Sequence, residues 1–333
     1  MSISVYITSY NHKEFLIEAI DSVLAQTLRP SQIIIVDDCS SDGSQEAIAG
    51  YVSRFPDVVL AIYHSRNQGV AQTRIDALSA VTGDYVTYVD GDDRVMPTKL
   101  EQEMGVLKRT PSAAIIFSNH CCITADGVRT EVWANDNEKP PQGNVFAQTF
   151  ARHFPKRRLF RNELVDYRAW AQIGFYDPNL PIFEDYDMRI RLTKHLRVAY
   201  CNEVLAEYRS RPGGLSQAKA DVYLKVLEYI YAKNRGFLAD LDSSQRAAVE
   251  RDFCRWMARF AKEAIIQALR CDGNWIAKRR TAVGYCLKAL QYGHSLPLSP
   301  RLAAEMILPD RLYCWLATCY RDYVAHNPHR GRL

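Results

Sequence analysis

Three carboxylates, Asp90, Asp92 and Asp93, fall within four positions of "DYVTYVDGDDRVMP", directly after an apolar run. Like charges that close repel, and their crowding is costly unless something positive sits among them. The stretch therefore calls for a cation or a basic group. Polar clusters of the same kind recur earlier: "TSYN", "DDCSSDGS" and "SRNQG" each follow an apolar run. Asp, Asn, Ser and Gly are also ordinary turn formers, so any one cluster has a bland reading. Four clusters at corresponding places read instead as one site. No GxGxxG or Walker-type loop follows the first apolar run, which excludes the standard dinucleotide and P-loop sites.

The elements that must position these loops alternate in period. "ISVYITS", "QIIIVDD", "VVLAIYH", "DYVTYVD" and "AAIIFS" are β-rich runs, the second apolar enough to be covered on both faces. Between the first two, "NHKEFLIEAIDSVLAQT" carries Leu16, Ile20, Val23 and Leu24 on one helical face. Asn11 and Glu14 suit a capping box at its start. A helix is predicted from Gly69 to about Val81, and another opening on Pro97, where the missing N–H costs little. Strand and helix in this rhythm predict an α/β fold, a mostly parallel sheet with helices on both faces. Ligands of such sheets bind beyond the carboxyl ends of the strands, where the polar clusters lie.

Length and charge set the bounds. The 333 residues suffice for a substantial core, and no apolar stretch approaches a membrane span. "MSISVYITSYN" reads as a first strand and not a signal peptide. Nine cysteines without Cys-x-x-Cys spacing favour reduced thiols and a cytoplasmic setting over disulfides or zinc. The net charge of +4 divides unevenly: −6 over residues 1–109, +2 over 110–215 and +8 over 216–333. Three stretches differ in this way: an acidic 1–109, a nearly neutral 110–215 and a basic 216–333, the last with helical apolar spacing.

Six ordered segments carry a resemblance to the glycosyltransferase family 2 enzymes of the GT-A fold, which act on nucleotide-sugars. They are "SVYITSYNHKEFLIEAIDSVLAQT", "IIIVDDCSSDGS", "NQGVAQTRIDAL", "GDYVTYVDGDD", "IGFYDPNLPIFEDYDMRIRL" and "YRSRPGGLS", spanning about residues 3–216. The resemblance implies a Rossmann-like sheet and inverting transfer of a sugar from a nucleotide-sugar donor. It implies that residues 1–109 form the nucleotide-binding half and 110–215 the acceptor-binding and catalytic-base half of one domain, and it does not cover the helical C-terminal region, 216–333.

It also implies roles. Asp92 comes closest to the ribose and Asp93 to a divalent cation, Mn2+ or Mg2+, which favours oxygen ligands and offsets charge on a leaving diphosphate. Asp90 is the first acid of the motif, in the nucleotide-binding set or at the sheet end. Asp38 looks like the residue that accepts from uracil N3–H, so a UDP-sugar is the expected donor. Thr8 is its companion at the base, and Tyr10 and Asn67 join the nucleotide-binding set. Arg74 matches a family arginine near the diphosphate. Asp37 is expected to order its loop and Asp42 to cap the next helix. The family's Glu-Asp pair falls on Glu184 and Asp185: Asp185 is the expected base towards an acceptor hydroxyl, and Glu184 orients that acceptor. Asp187 is expected to be solvated or paired with Arg191. Where many relatives place a metal-binding histidine, this chain has Arg211, which cannot coordinate a cation but could clamp the diphosphate.

The expected acceptor is a saccharide or lipid-linked saccharide, in cell-surface polysaccharide synthesis such as capsule or lipopolysaccharide. The basic tail suits either packing, on the catalytic domain or a second copy, or peripheral contact with the inner face of a membrane. No basic run with regular aromatic interleaving supports nucleic-acid binding. Two alternatives share the sheet: a nucleotidyltransferase, and a catalytically silent sugar-binding relative.

Overall fold

The computed structural model describes residues 1–210, 219–270 and 281–284. Strand and helix alternate from the start: β1 (Ile3–Ser9), α1 (Lys13–Leu24), β2 (Gln32–Asp37), α2 (Ser44–Arg54), β3 (Val59–Tyr63), α3 (Val70–Ser79) and β4 (Tyr85–Asp90). A two-residue strand, β5 (Arg94–Val95), then precedes α4 (Lys99–Arg109) and β6 (Ile115–Ile123). The less regular stretch yields β7 (Arg129–Val132), α5 (Phe146–Ala151), β8 (Leu164–Asp166), α6 (Tyr167–Ile173), α7 (Glu184–His195) and β9 (Val198–Arg209). Two longer helices follow, α8 (Ala220–Asn234) and α9 (Ser243–Arg270).

The strands form one sheet in the order β3-β2-β1-β4-β8-β6-β9-β5, with β7 beside β6. β3, β2, β1 and β4 run parallel. β8 joins β4 and β6 antiparallel, and β6 with β9 is parallel again. All seven residues of β1 are buried, as a central parallel strand requires. Its odd positions Ile3, Val5 and Ile7 share a core with Leu16 and Ile20 of α1 and Leu100 and Met104 of α4. Tyr6 points the other way and stacks on Tyr88 of β4 at 5.6 Å. Period-2 alternation thus sends apolar side chains to one layer and an aromatic pair to the other.

β5, β7 and β8 were not legible in sequence, being too short for a periodic signal. The helix expected to open on Pro97 starts at Lys99. The Asn11–Glu14 capping box does not form. Asn11 adopts a φ of 53°, and the Lys13 N–H at the start of α1 is received by Asp42 at 2.8 Å. A carboxylate from the neighbouring loop replaces the local cap.

The chain divides into two compact units, Met1–Gln217 with Ile230–Val249, and Ala218–Tyr229 with Glu250–Leu333. No described helix is long and apolar enough to cross a membrane. Cys39, Cys121, Cys122, Cys201 and Cys254 are free thiols. Arg211, the "RPGGLSQ" loop and most of the tail, including "RLYCWLATCYRDY", lie outside the described residues.

Candidate active site

Parallel pairing brings the polar loops to one edge: Thr8 lies in register with Asp90, and Ser9 with Asp37. The loop after β4 is tied to β1 by the Gly91 N–H, which donates to Thr8 O at 2.9 Å. A Cβ on residue 91 would stand 2.5 Å from that same oxygen, so only glycine permits the approach.

In the loop after β2 the acids are consumed by structure. Asp37 is fully buried and accepts from the Ser40 N–H (2.8 Å), the Ser40 hydroxyl (2.6 Å) and Gln45 Nε2 (2.9 Å). Asp42 accepts from the Ser44 N–H at the start of α2 as well as from Lys13. Asp38 reaches across to the loop after β3. Its Oδ1 accepts from the Gln68 N–H (2.7 Å) and its Oδ2 from the Gly69 N–H (2.9 Å). His64 Nδ1 lies 2.7 Å from Asp38 Oδ1, and its Nε2 lies 2.9 Å from Asp76 Oδ2. Asp38 is thus buried and engaged by three protein groups. Thr8 is buried beside it at the sheet edge, while Tyr10 and Asn67 are exposed.

Beyond β4 the acids meet guanidinium groups instead. Asp90 Oδ1 pairs with Arg74 (2.7 Å) and its Oδ2 with Arg161 (3.2 Å). Asp93 is buried; its Oδ1 accepts from the Arg209 N–H at 2.8 Å. Its Oδ2 is buried without a hydrogen-bond partner, 3.6 Å from Arg161. Burial pushes the Asp93 carboxyl well above the usual carboxylate range, against the pull of Arg161 and with the push of Asp92 and Asp90. Asp92 is half-buried, and its backbone oxygen accepts from Arg209 Nε.

Arg74 connects this loop to α7. It is buried, lies over the rings of Tyr88 (4.8 Å) and Tyr176 (5.4 Å), and approaches Glu184 Oε1 at 3.6 Å. α7 itself begins after Phe183, whose φ of 59° is left-handed. A bulky residue so strained, just before two acids, marks a backbone held by its surroundings. The helix N-terminus favours the negative charge of its first turn. Glu184 is buried, and burial pushes its carboxyl up to about 7, with Arg74 opposing and Asp185 assisting. Asp185 retains 38% side-chain exposure and pairs with Arg189 four residues on. Burial would raise its carboxyl, but Arg189 and then Arg74 bring it down to about 2. At neutral pH Asp185 is therefore ionised and open to solvent, beside a largely enclosed Glu184. Arg189 is itself fixed by Glu163 (3.1 Å) and the Tyr88 hydroxyl (2.8 Å).

Asp187 departs from the solvated expectation. It is fully buried, pairing with Arg191 (3.1 Å), Lys233 (2.9 Å) and Asn234 (2.8 Å). The i,i+4 pair with Arg191 forms, but the partners from α8 close the site around it. Arg161, Glu163 and Arg189 escaped sequence reasoning. Arg161 lies 68 or more positions from the acids it meets, and nothing local announces it. Arg189 had a usable signal in its four-residue spacing from Asp185.

The family model for glycosyl transferase family 2 matches residues 4–168, from β1 through the acidic loops to the start of α6. Over that stretch the chain is a glycosyl transferase family 2 domain. It is an enzyme, a glycosyltransferase, which sets aside the nucleotidyltransferase alternative. TuaG of Bacillus subtilis, named for teichuronic acid biosynthesis, is 28% identical over 65% of this chain and 82% of its own length. WcaA of Escherichia coli, named for colanic acid biosynthesis, is 28% identical over 57% of this chain and 65% of its own. Among solved structures, S. aureus TarS residues 1–349 in complex with UDP-GlcNAc superposes with a TM-score of 0.66 at 15% identity, over 97% of this chain and 92% of that one. At that identity the likeness is one of fold, and the fold is the GT-A type expected.

Proposed function

We propose that this glycosyltransferase moves a sugar, with inversion, from a UDP-sugar to a hydroxyl of a saccharide or lipid-linked saccharide during cell-surface polysaccharide synthesis. One observation carries the reading: Arg74 bridges Asp90 of the β4 loop and Glu184 of α7, joining two acid clusters far apart in sequence into a single site. The structural relative solved with UDP-GlcNAc and with UDP supports the donor class, and the names of TuaG and WcaA support the setting.

In this scheme Asp185 accepts the proton of the acceptor hydroxyl as its oxygen attacks the anomeric carbon opposite the departing diphosphate. A carboxylate held near 2 is a weak base. Proton transfer must therefore come late, when the sugar already bears positive charge, and position matters more than basicity. Arg189 supplies that position. Glu184, partly protonated near neutrality, orients the acceptor by donating or accepting a hydrogen bond. Arg74 and Arg161 face the side on which negative charge grows. Thr8, Tyr10, Asp38 and Asn67 make up the base and ribose end, Asp38 by holding the β3 loop in place as well as by any bond to uracil.

Among the described residues no three His, Cys, Asp or Glu side chains form a metal cage. The orphaned, buried Asp93 Oδ2 beside Asp92 nevertheless fits Mn2+ or Mg2+, which needs only one or two carboxylates when phosphates and water complete its shell. Bound there, the ion would offset charge on the leaving diphosphate.

The test is a thermal-shift panel of UDP-, GDP-, TDP- and CMP-sugars with and without Mn2+. Stabilisation grows with ligand concentration over dissociation constant, so UDP-sugars should stand out. Stabilisation by another nucleotide alone overturns the donor assignment. No shift with any of these donors overturns the reading of the site as their binding site.

A further inference from the structure

Arg161 occupies the place where a cation is expected. Its Nη2 stands 3.2 Å from Asp90 Oδ2 and 3.6 Å from Asp93 Oδ2, and its guanidinium lies 3.7 Å from the ring centre of Tyr208. The next residue, Arg209, donates its backbone N–H to the other oxygen of Asp93. Asp93 is thus gripped on one side by backbone and faced on the other by a charge too distant for a hydrogen bond. Both Asp93 Oδ2 and Arg161 Nε are buried without a hydrogen-bond partner. The two are matched in charge and mismatched in geometry, as expected of partners that exchange. Arg161 keeps 25% of its side chain exposed, so it has somewhere to go.

We propose that Arg161 is a built-in counter-cation of the β4 loop, and that it makes binding of a divalent cation conditional on a nucleoside diphosphate. The inference rests on the reading of Asp92 and Asp93 as the metal-holding acids. A divalent ion arriving alone at Asp93 Oδ2 meets a fixed positive charge beside its ligand and binds poorly. A diphosphate offers the guanidinium a better partner, since two N–H groups can engage phosphate oxygens together. Arg161 then moves from Asp93 to the diphosphate, and the vacated carboxylate takes the ion. Arg74 cannot make this move: it is only 5% exposed, lies over two tyrosine rings and is held by Asp90 and Glu184. Metal and nucleotide are then coupled ligands, each raising the affinity of the other by the same factor.

Calorimetric Mn2+ titrations of the wild-type protein, Arg161→Gln and Arg161→Lys, each with and without UDP, test the coupling. Wild type should bind Mn2+ roughly tenfold or more tightly once UDP is present, within the usual range for coupled sites. Arg161→Gln should bind Mn2+ without UDP at least about fivefold more tightly than wild type and lose that same factor from the coupling, the part carried by shared phosphate ligands remaining. Arg161→Lys keeps the charge and should keep the coupling. A melting transition by circular dichroism confirms that each variant is folded. Equal coupling in wild type and Arg161→Gln overturns the inference and leaves the metal reading standing. Absence of Mn2+ binding in every variant, with UDP bound, removes the metal reading and the inference with it.

Discussion

The loops after β2 and β4 are both aspartate-rich, "DDCSSD" and "DGDD", yet the fold treats them in opposite ways. Asp37, Asp38 and Asp42 accept from backbone N–H groups and short side chains within hydrogen-bonding distance. Those bonds fix the loop and its neighbours. Asp90 and Asp93 face Arg74 and Arg161, and one oxygen of Asp93 has no hydrogen-bond partner at all. Carboxylates of that kind are poised, their environment incomplete until something binds. Residue type does not separate the two loops; the donors around them do.

The largest expected effect lies on the poised side, where α7 is joined to the β4 loop through Arg74. Asp185→Asn keeps size and removes the base, and should slow sugar transfer by about 10³-fold with only a modest fall in melting temperature from the lost Arg189 pair, as measured by initial rates and calorimetry. Near-normal turnover would place the base elsewhere. Next come paired substitutions, one per loop. Asp93→Asn replaces a buried carboxyl that burial makes hard to ionise, and should cost about a hundredfold in activity while leaving stability equal or up to about 1 kcal/mol higher. Asp37→Ala orphans three donors and should cost about 2–3 kcal/mol in chemical denaturation. If Asp93→Asn proves the more destabilising of the two, the contrast between loops fails.

Gly91→Ala forces a Cβ to within 2.5 Å of Thr8 O in the unrelaxed backbone. The loop must shift, costing about 1–3 kcal/mol and weakening UDP binding, which equilibrium titration would show. The smallest effect is on pH dependence. Burial holds the Glu184 carboxyl at about 7 in the fold, against 4.5 for an ordinary glutamate. A raised folded value means the folded form holds its proton more tightly, so this contribution is complete below about 4.5 and is lost as pH rises through 7. Between pH 5 and 8 wild type should lose on the order of 2 kcal/mol that Glu184→Gln does not. Parallel melting curves of the two proteins across that range would sink the assignment.

What was legible in sequence was whatever has a local cause. β1, β2, β3 and β4 announced themselves by apolar runs, α1 by the spacing of its apolar residues, and the polar loops by their place after strands. The short strands β5, β7 and β8 were hidden, since two to four residues cannot show a period, and their pairing depends on partners far along the chain. The α1 cap shows the limit within a single motif. Asn11 and Glu14 have the right spacing for a capping box, but Asp42 arrives from 29 positions away and takes the Lys13 N–H. Asp187 shows it again, with Lys233 and Asn234 converging on a carboxylate that looked exposed.

The sequence by itself determined that carboxylates would gather at one edge of a parallel sheet, because strand period and loop placement are short-range properties. Only the tertiary structure decided which of them are spent on holding loops and which stay available. That outcome depends on Arg74 and Arg161, whose side chains reach the acids across the fold. Electrostatic partnership is set by distance in space, and distance along the chain does not reveal it.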